Sequence, residues 1–134
     1  MKRKVVVGHT LYNLTRNTVV AEDTRVAATF WGRLRGLIGC KQLDLGKALM
    51  IVPCRSIHTW FMRFPIDVLF LDREMRVIHR ATVEPWRFGP VVKDAWRVVE
   101  MPAGLIGCSA TTVGDKLGWE LVQPSPRMGK DMIS

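Results

Sequence analysis

The sequence predicts a mainly β, α+β domain: a small antiparallel barrel or jelly-roll-like sandwich with one main amphipathic helix, about residues 24–39, packed on the sheet. Three observations carry that expectation. Six runs between residues 47 and 122 have strand length and β-branched or aromatic composition. The connections between them are short, which favours antiparallel neighbours. One segment alone carries a clear helical stripe. At 134 residues, 48% hydrophobic and 24% charged, the chain has room for one domain with one core. Residues 1–122 read as that β-rich domain and residues 123–134, with Pro124, Pro126 and Gly129, as a flexible C-terminal tail.

Lys4–Leu11 and Thr18–Glu22 are β-rich, and Asn13–Asn17 between them supplies turn residues, so the chain is expected to begin with a hairpin. Asp23 and Thr24 offer N-cap oxygens to a helix running to about Ile38, with Gly39 as its stop. Val26, Ala27, Phe30, Trp31, Leu34, Leu37 and Ile38 share one side of that helix, Gly32 and Gly36 fall opposite, and Arg33 and Arg35 flank the stripe. The six strands are Lys47–Val52, Ser56–Met62, Ile66–Leu71, Arg76–Glu84, Arg97–Met101 and Lys116–Val122. Large apolar residues on both sides of Ser56–Met62 make it a central strand by expectation. Asp72–Met75 and Gly114-Asp115 read as turns.

The net charge is +8 and unevenly placed: residues 1–67 hold eleven Lys and Arg against four Asp and Glu, residues 68–134 nine against eight. An anionic partner is one reading, and ordinary solubility charge the other, of at least equal weight. The apolar run Val5–Val7 is too short for a signal peptide, and no stretch approaches the ~20 apolar residues of a membrane span. Cys40, Cys54 and Cys108 are an odd number set far apart, unlike a disulfide framework. A cytoplasmic protein, monomer or weak dimer, is the expectation.

The residues densest in chemistry run from Cys54 to Asp72. Period-two alternation puts His58, Trp60 and Met62 on one side of their strand and Thr59, Phe61 and Arg63 on the other. In the next strand Asp67 shares a side with Leu69 and Leu71, so it needs a partner: backbone N–H groups near Pro65, the guanidinium of Arg33, Arg35 or Arg63, or His58. It reads either as a general base or ligand anchor, or, by preference, as a buried acid tying the Phe64-Pro65 turn to the helix. His58 comes four residues after Cys54, but the paired ligand spacings of structural zinc do not occur, and no metal or cofactor is expected. Pro85-Trp86-Arg87-Phe88-Gly89-Pro90, with Lys93 and Trp96, interleaves aromatic and basic residues as a nucleic-acid-stacking loop does, or as a lid does whose rings complete the core. Gly104-Leu105-Ile106-Gly107 lacks the ending of a phosphate loop. Glu100 and Asp115 are carboxylates that could face Asp67 across a cleft.

The order of Arg33–Ile38, Gly46–Met50, Trp60–Phe70, Glu100–Gly104 and Gly114-Asp115 resembles the family known as domain of unknown function 192, over roughly residues 18–122. The matching positions are Arg35, Gly36, Trp60, Met62, Pro65, Asp67, Glu100, Pro102, Gly104, Gly114 and Asp115. The resemblance implies a compact β-rich domain with a helix against a barrel-like or jelly-roll-like sheet, and no reaction, substrate or cofactor. Phe61 between Trp60 and Met62, and Arg63-Phe64 after it, depart from the commoner pattern.

The leading functional expectation is a non-enzymatic binding or accessory module for a small anionic ligand or a protein partner. Its cleft would use Arg35, His58, Trp60, Arg63, Asp67, Trp86 and Arg87 near the 85–96 loop. The alternatives are sequence-tolerant nucleic-acid binding through the basic residues 25–66, and a hydrolase or transferase with Asp67 and His58 in one cleft.

Overall fold

The computed structural model describes residues 9–27 and 46–121. Within them the chain forms β1 (His9–Asn13), β2 (Thr18–Ala27), β3 (Lys47–Ile51), β4 (Ser56–His58), β5 (Ile66–Leu71), β6 (Val77–Val83), β7 (Phe88–Val91), β8 (Arg97–Pro102), the single-turn helix α1 (Leu105–Ser109) and β9 (Leu117–Leu121). Seven strands make one sheet in the order β6-β5-β8-β3-β2-β1-β9, and β4 and β7 make a second, two-stranded one.

The hairpin β1–β2 turns where Asn13 Oδ1 accepts the Arg16 N–H and Asn17 takes a left-handed φ of 59°, which its short polar side chain tolerates. From there β2 does not give way to a helix at Asp23. It runs on to Ala27, pairing Thr24 with His9 on one side and with Ala48 on the other. Two strand neighbours and β-branched Thr24 and Val26 outweigh the capping oxygens, so the expected helix of residues 24–39 is corrected at its start; residues 28–39 lie outside the described residues. The pairing of β2 with β3 is also parallel, not antiparallel. A parallel pair cannot be joined by a tight turn, and residues 28–45 make that connection.

Strand β5 sets the layers. All six of its residues are buried, because both of its faces are covered. Leu69 and Leu71 enter one cluster with Leu11, Met50, Val99, Met101, Ile106 and Leu117. Ile66, Val68 and Phe70 enter the other with Ile57, Met62, Val83 and Val98. Each fully buried side chain of this size stabilises by about 1.5–3 kcal/mol relative to leaving it in water.

The first cluster is the inside of a half-barrel. Its edge strands β6 and β9 meet at one end through the bridge Arg76–Lys116 and the amides of Val77, Gly114 and Leu117, which donate to Asp115, Val77 and Met75. Helix α1 directs Ile106 into that interior. The second cluster lies between the outside of the sheet and the β4–β7 layer. The expected central strand Ser56–Met62 is thus corrected: β4 ends at His58 and belongs to the outer layer, because the chain turns at Thr59, whose carbonyl accepts the Met62 N–H at 3.1 Å. No helix among the described residues is long and apolar enough to cross a membrane.

Candidate functional site

Thr59 organises the far end of the outer layer. It is fully buried, and its Oγ1 donates to the Glu84 carbonyl at 2.6 Å while accepting the Arg87 N–H at 2.8 Å. Its own N–H donates to the Arg87 carbonyl, and its carbonyl accepts the N–H groups of both Trp86 and Met62. Two separate turns, 59–62 and 84–87, are thereby pinned to one residue. On each turn a bulky aromatic residue sits in the left-handed region, Phe61 at φ 69° and Trp86 at φ 62°. That region is open to glycine and unfavourable for large side chains.

The rings that result form a ridge. Trp60 meets Trp86 edge-on at 5.7 Å and Phe88 at 5.2 Å, and Phe61 meets Trp86 at 4.9 Å. His58 joins from β4, its Nδ1 accepting the Trp60 N–H at 3.3 Å and its ring 6.5 Å from the indole. Despite these contacts Phe61 stays 59% exposed, Trp86 50% and Phe88 76%, and Val91 at 77% continues the apolar surface along β7. Gly89 lets β7 lie close on β4: a Cβ there would stand 3.0 Å from the Ile57 side chain and 3.2 Å from its carbonyl oxygen. Arg63 and Arg87, next to the rings in the chain, are exposed, as are Arg55 and Lys93 toward the other end of the β4–β7 pair, against the exposed acids Glu84 and Asp94. Among the described residues none of those four cations is in a salt bridge.

Asp67 lies elsewhere. It points to the barrel side with Leu69 and Leu71, away from the layer that holds His58. Thr82 donates to its Oδ1 at 2.7 Å, and the N–H groups of Gly104 and Ile106 donate to its Oδ2 at 2.8 and 3.1 Å. The acid thus holds the start of α1 to strands β5 and β6, where Gly104 needs the left-handed φ of 103°. A polar opening of about 380 Å³ adjoins it, lined by Arg80, Thr82, Gly104 and Gly107 among others. The partners expected from sequence, at Pro65, Arg63 or His58, are replaced by α1 and β6; Arg33 and Arg35 lie outside the described residues.

The expected carboxylate pairs do not form. Glu100 is buried on β8 beside Leu49 and Val68, whose side chains belong to the outer cluster, while Asp67 registers with Met101 on the inner side. Asp115 is held in its own network: Asn13 Nδ2, Arg16 Nε and the Thr112 N–H all donate to its Oδ2 between 2.8 and 3.0 Å. Burial alone would raise its carboxyl, but those hydrogen bonds and the charge of Arg16 prevail and hold it below the usual carboxylate range.

Of the residues singled out from sequence, the fold brings His58, Trp60 and Trp86 together, with Arg87 between two ridge rings in the chain and Arg63 just after the 59–62 turn. It separates Asp67 from them, and Arg35 lies outside the described residues. The 85–96 loop is in part a strand, β7. Phe61, Phe88 and the positioning residue Thr59 were missed as site residues. Phe61 left one signal: a large ring where the family pattern has none.

The sequence model of the DUF192 family, described as Uncharacterized ACR, matches residues 12–119. The UPF0127 protein of Thermococcus sibiricus is 32% identical over 126 residues, 87% of this chain and 81% of that protein. The UPF0127 protein of Pyrococcus furiosus is 32% identical over 114 residues, 81% of this chain and 97% of the relative. A crystal structure of a protein of unknown function from Novosphingobium aromaticivorans shares the fold at a TM-score of 0.70 and 21% identity, with 85% of each chain covered.

Proposed function

The chain belongs to the DUF192 family, an uncharacterised one, and from its own residues we propose that it is a binding module whose ligand surface is the aromatic ridge of β4, β7 and their turns, and whose ligand is anionic. One observation carries the reading: Phe61 and Trp86 are both held in left-handed backbone and yet leave half or more of their surface in water. Each such conformation costs of order 1–3 kcal/mol. The exposed half of each ring contributes nothing toward offsetting that cost. A strained residue that the core does not use is best understood as serving what binds there. The exposed Arg63 and Arg87 beside the rings in the chain support an anionic ligand. A catalytic pair of Asp67 and His58 is disfavoured because, among the described residues, Asp67 is held by Thr82, Gly104 and Ile106 while His58 lies on β4 beside Trp60.

The test is a nitrogen-15 NMR titration of the full chain with heparin, an acidic peptide and inorganic phosphate in turn. Shifts gathered on the Trp60 and Trp86 indoles and on the amides of residues 58–63 and 84–91 support the ridge. Shifts centred on Arg80, Gly104 and Gly107 beside Asp67, or none with any probe, overturn it.

A further inference from the structure

The chemistry of the ridge narrows the class of anion, on the premise that the ridge is the binding surface. A compact anion such as phosphate needs several donors converging on one point. The ridge offers flat rings instead, with cations interleaved along the chain: Phe61 then Arg63, and Trp86, Arg87, Phe88 in succession. Edge-to-face packing against Trp60 and between Phe61 and Trp86 fixes the rings, and their 50–76% exposure leaves surface open to a further flat partner. The ligand that matches both features is a chain of anions bearing unpaired planar groups.

We propose that the ridge takes single-stranded nucleic acid, its bases stacking on Phe61, Trp86 and Phe88 and its phosphates lying against Arg63 and Arg87. A duplex hides its base faces inside the helix and engages the cations alone. Binding is therefore tolerant of sequence, sensitive to strandedness and weakened by salt.

The experiment is fluorescence anisotropy on the full chain with a labelled oligothymidylate, the same length as duplex, and unlabelled heparin as competitor, between about 50 and about 200 mM salt. The expected result is single-strand binding that falls with salt, exceeds duplex binding, and drops about tenfold in each of Phe88→Ala and Trp86→Gly. Phe88 is so exposed that its loss leaves the fold intact, which the NMR spectrum of the variant checks. Equal affinity for duplex and single strand, with no loss in either variant, overturns the inference. So does absence of oligonucleotide binding at low salt. If in that case heparin or the acidic peptide still shifts the ridge resonances, the ridge remains an anion-binding surface for another partner. If no probe shifts them, both readings fall together.

Discussion

At Phe61 and Trp86 the side chain and the backbone make opposite demands, and that opposition can be measured. Glycine relieves the left-handed strain but removes the ring and adds freedom to the unfolded chain. For Phe61→Gly, more than half exposed in the wild type, these effects nearly cancel, and the unfolding free energy is expected to change by less than about 1 kcal/mol in urea denaturation. A loss above about 3 kcal/mol would make Phe61 a core residue and remove the argument built on it. Asp115 makes a different prediction. Its carboxyl titrates lower in the folded chain than in the unfolded one, so its contribution is complete above the unfolded value and is lost as pH falls through the folded one. Asp115→Asn is expected to be less stable than wild type near pH 7, with the gap narrowing below about pH 5 in thermal melts. A gap independent of pH would show that the ionised form has no special role. Sequence alone indicated that Asp67 needs partners, since it alternates with Leu69 and Leu71. It could not name them, because Gly104 and Ile106 are far away in the chain and come near only through the pairing of β5 with β8.

Among the elements, those set by local pattern were the legible ones. The strands β5, β6, β8 and β9 and the Asp72–Met75 turn arise from alternation and turn residues, within a residue or two at their ends, and the hairpin β1–β2 from its turn, although β2 runs past the expected Glu22 to Ala27. The failures share a cause. At Asp23 and Thr24 local capping chemistry favours a helix, but β1 and β3 flank the segment and the strand continues. At Thr59 the alternation persists in the sequence while the backbone turns, because long-range hydrogen bonds to three residues, Glu84, Trp86 and Arg87, hold it. Helix α1 is one turn long and has no capping side chain of its own, so its cap, Asp67, is supplied from β5. Asp67→Asn would keep the size and turn an amide donor or a weaker acceptor toward those N–H groups. The expected loss is about 2–3 kcal/mol, with NMR shifts concentrated in Gly104–Ser109. Unchanged stability would mean that α1 is fixed by Ile106 packing alone.

For the molecule as a whole, closure at one end is the controlling feature. The amides of Val77 and Leu117 cross between the edge regions at the Arg76–Lys116 bridge, while away from it Asp67 holds the start of α1 beside the polar opening at Arg80. In hydrogen exchange the two crossing amides are expected to exchange only with global unfolding, and Gly107, on the exposed side of α1, much sooner. Comparable rates at all three would show that the bridge does not hold the sheet closed. The curled sheet was predicted as a barrel or sandwich because a small sheet must protect its edges; the half-barrel meets that need at one end by bridging and away from it with a helix.

The pinning of two turns to Thr59 has a consequence for divergence and for engineering. Folding rests on the side chains that fill the two clusters, whereas Phe61, Trp86, Arg87 and Phe88 project beyond both. Selection on what is bound and selection on staying folded therefore fall on different positions: Phe61, Arg63, Trp86, Arg87 and Phe88 can drift while Met62, between two of them in the chain, stays with the core. The same separation makes this rim a natural grafting site: new recognition sequences could be installed there provided that Thr59 keeps its hydroxyl and Gly89 its hydrogen.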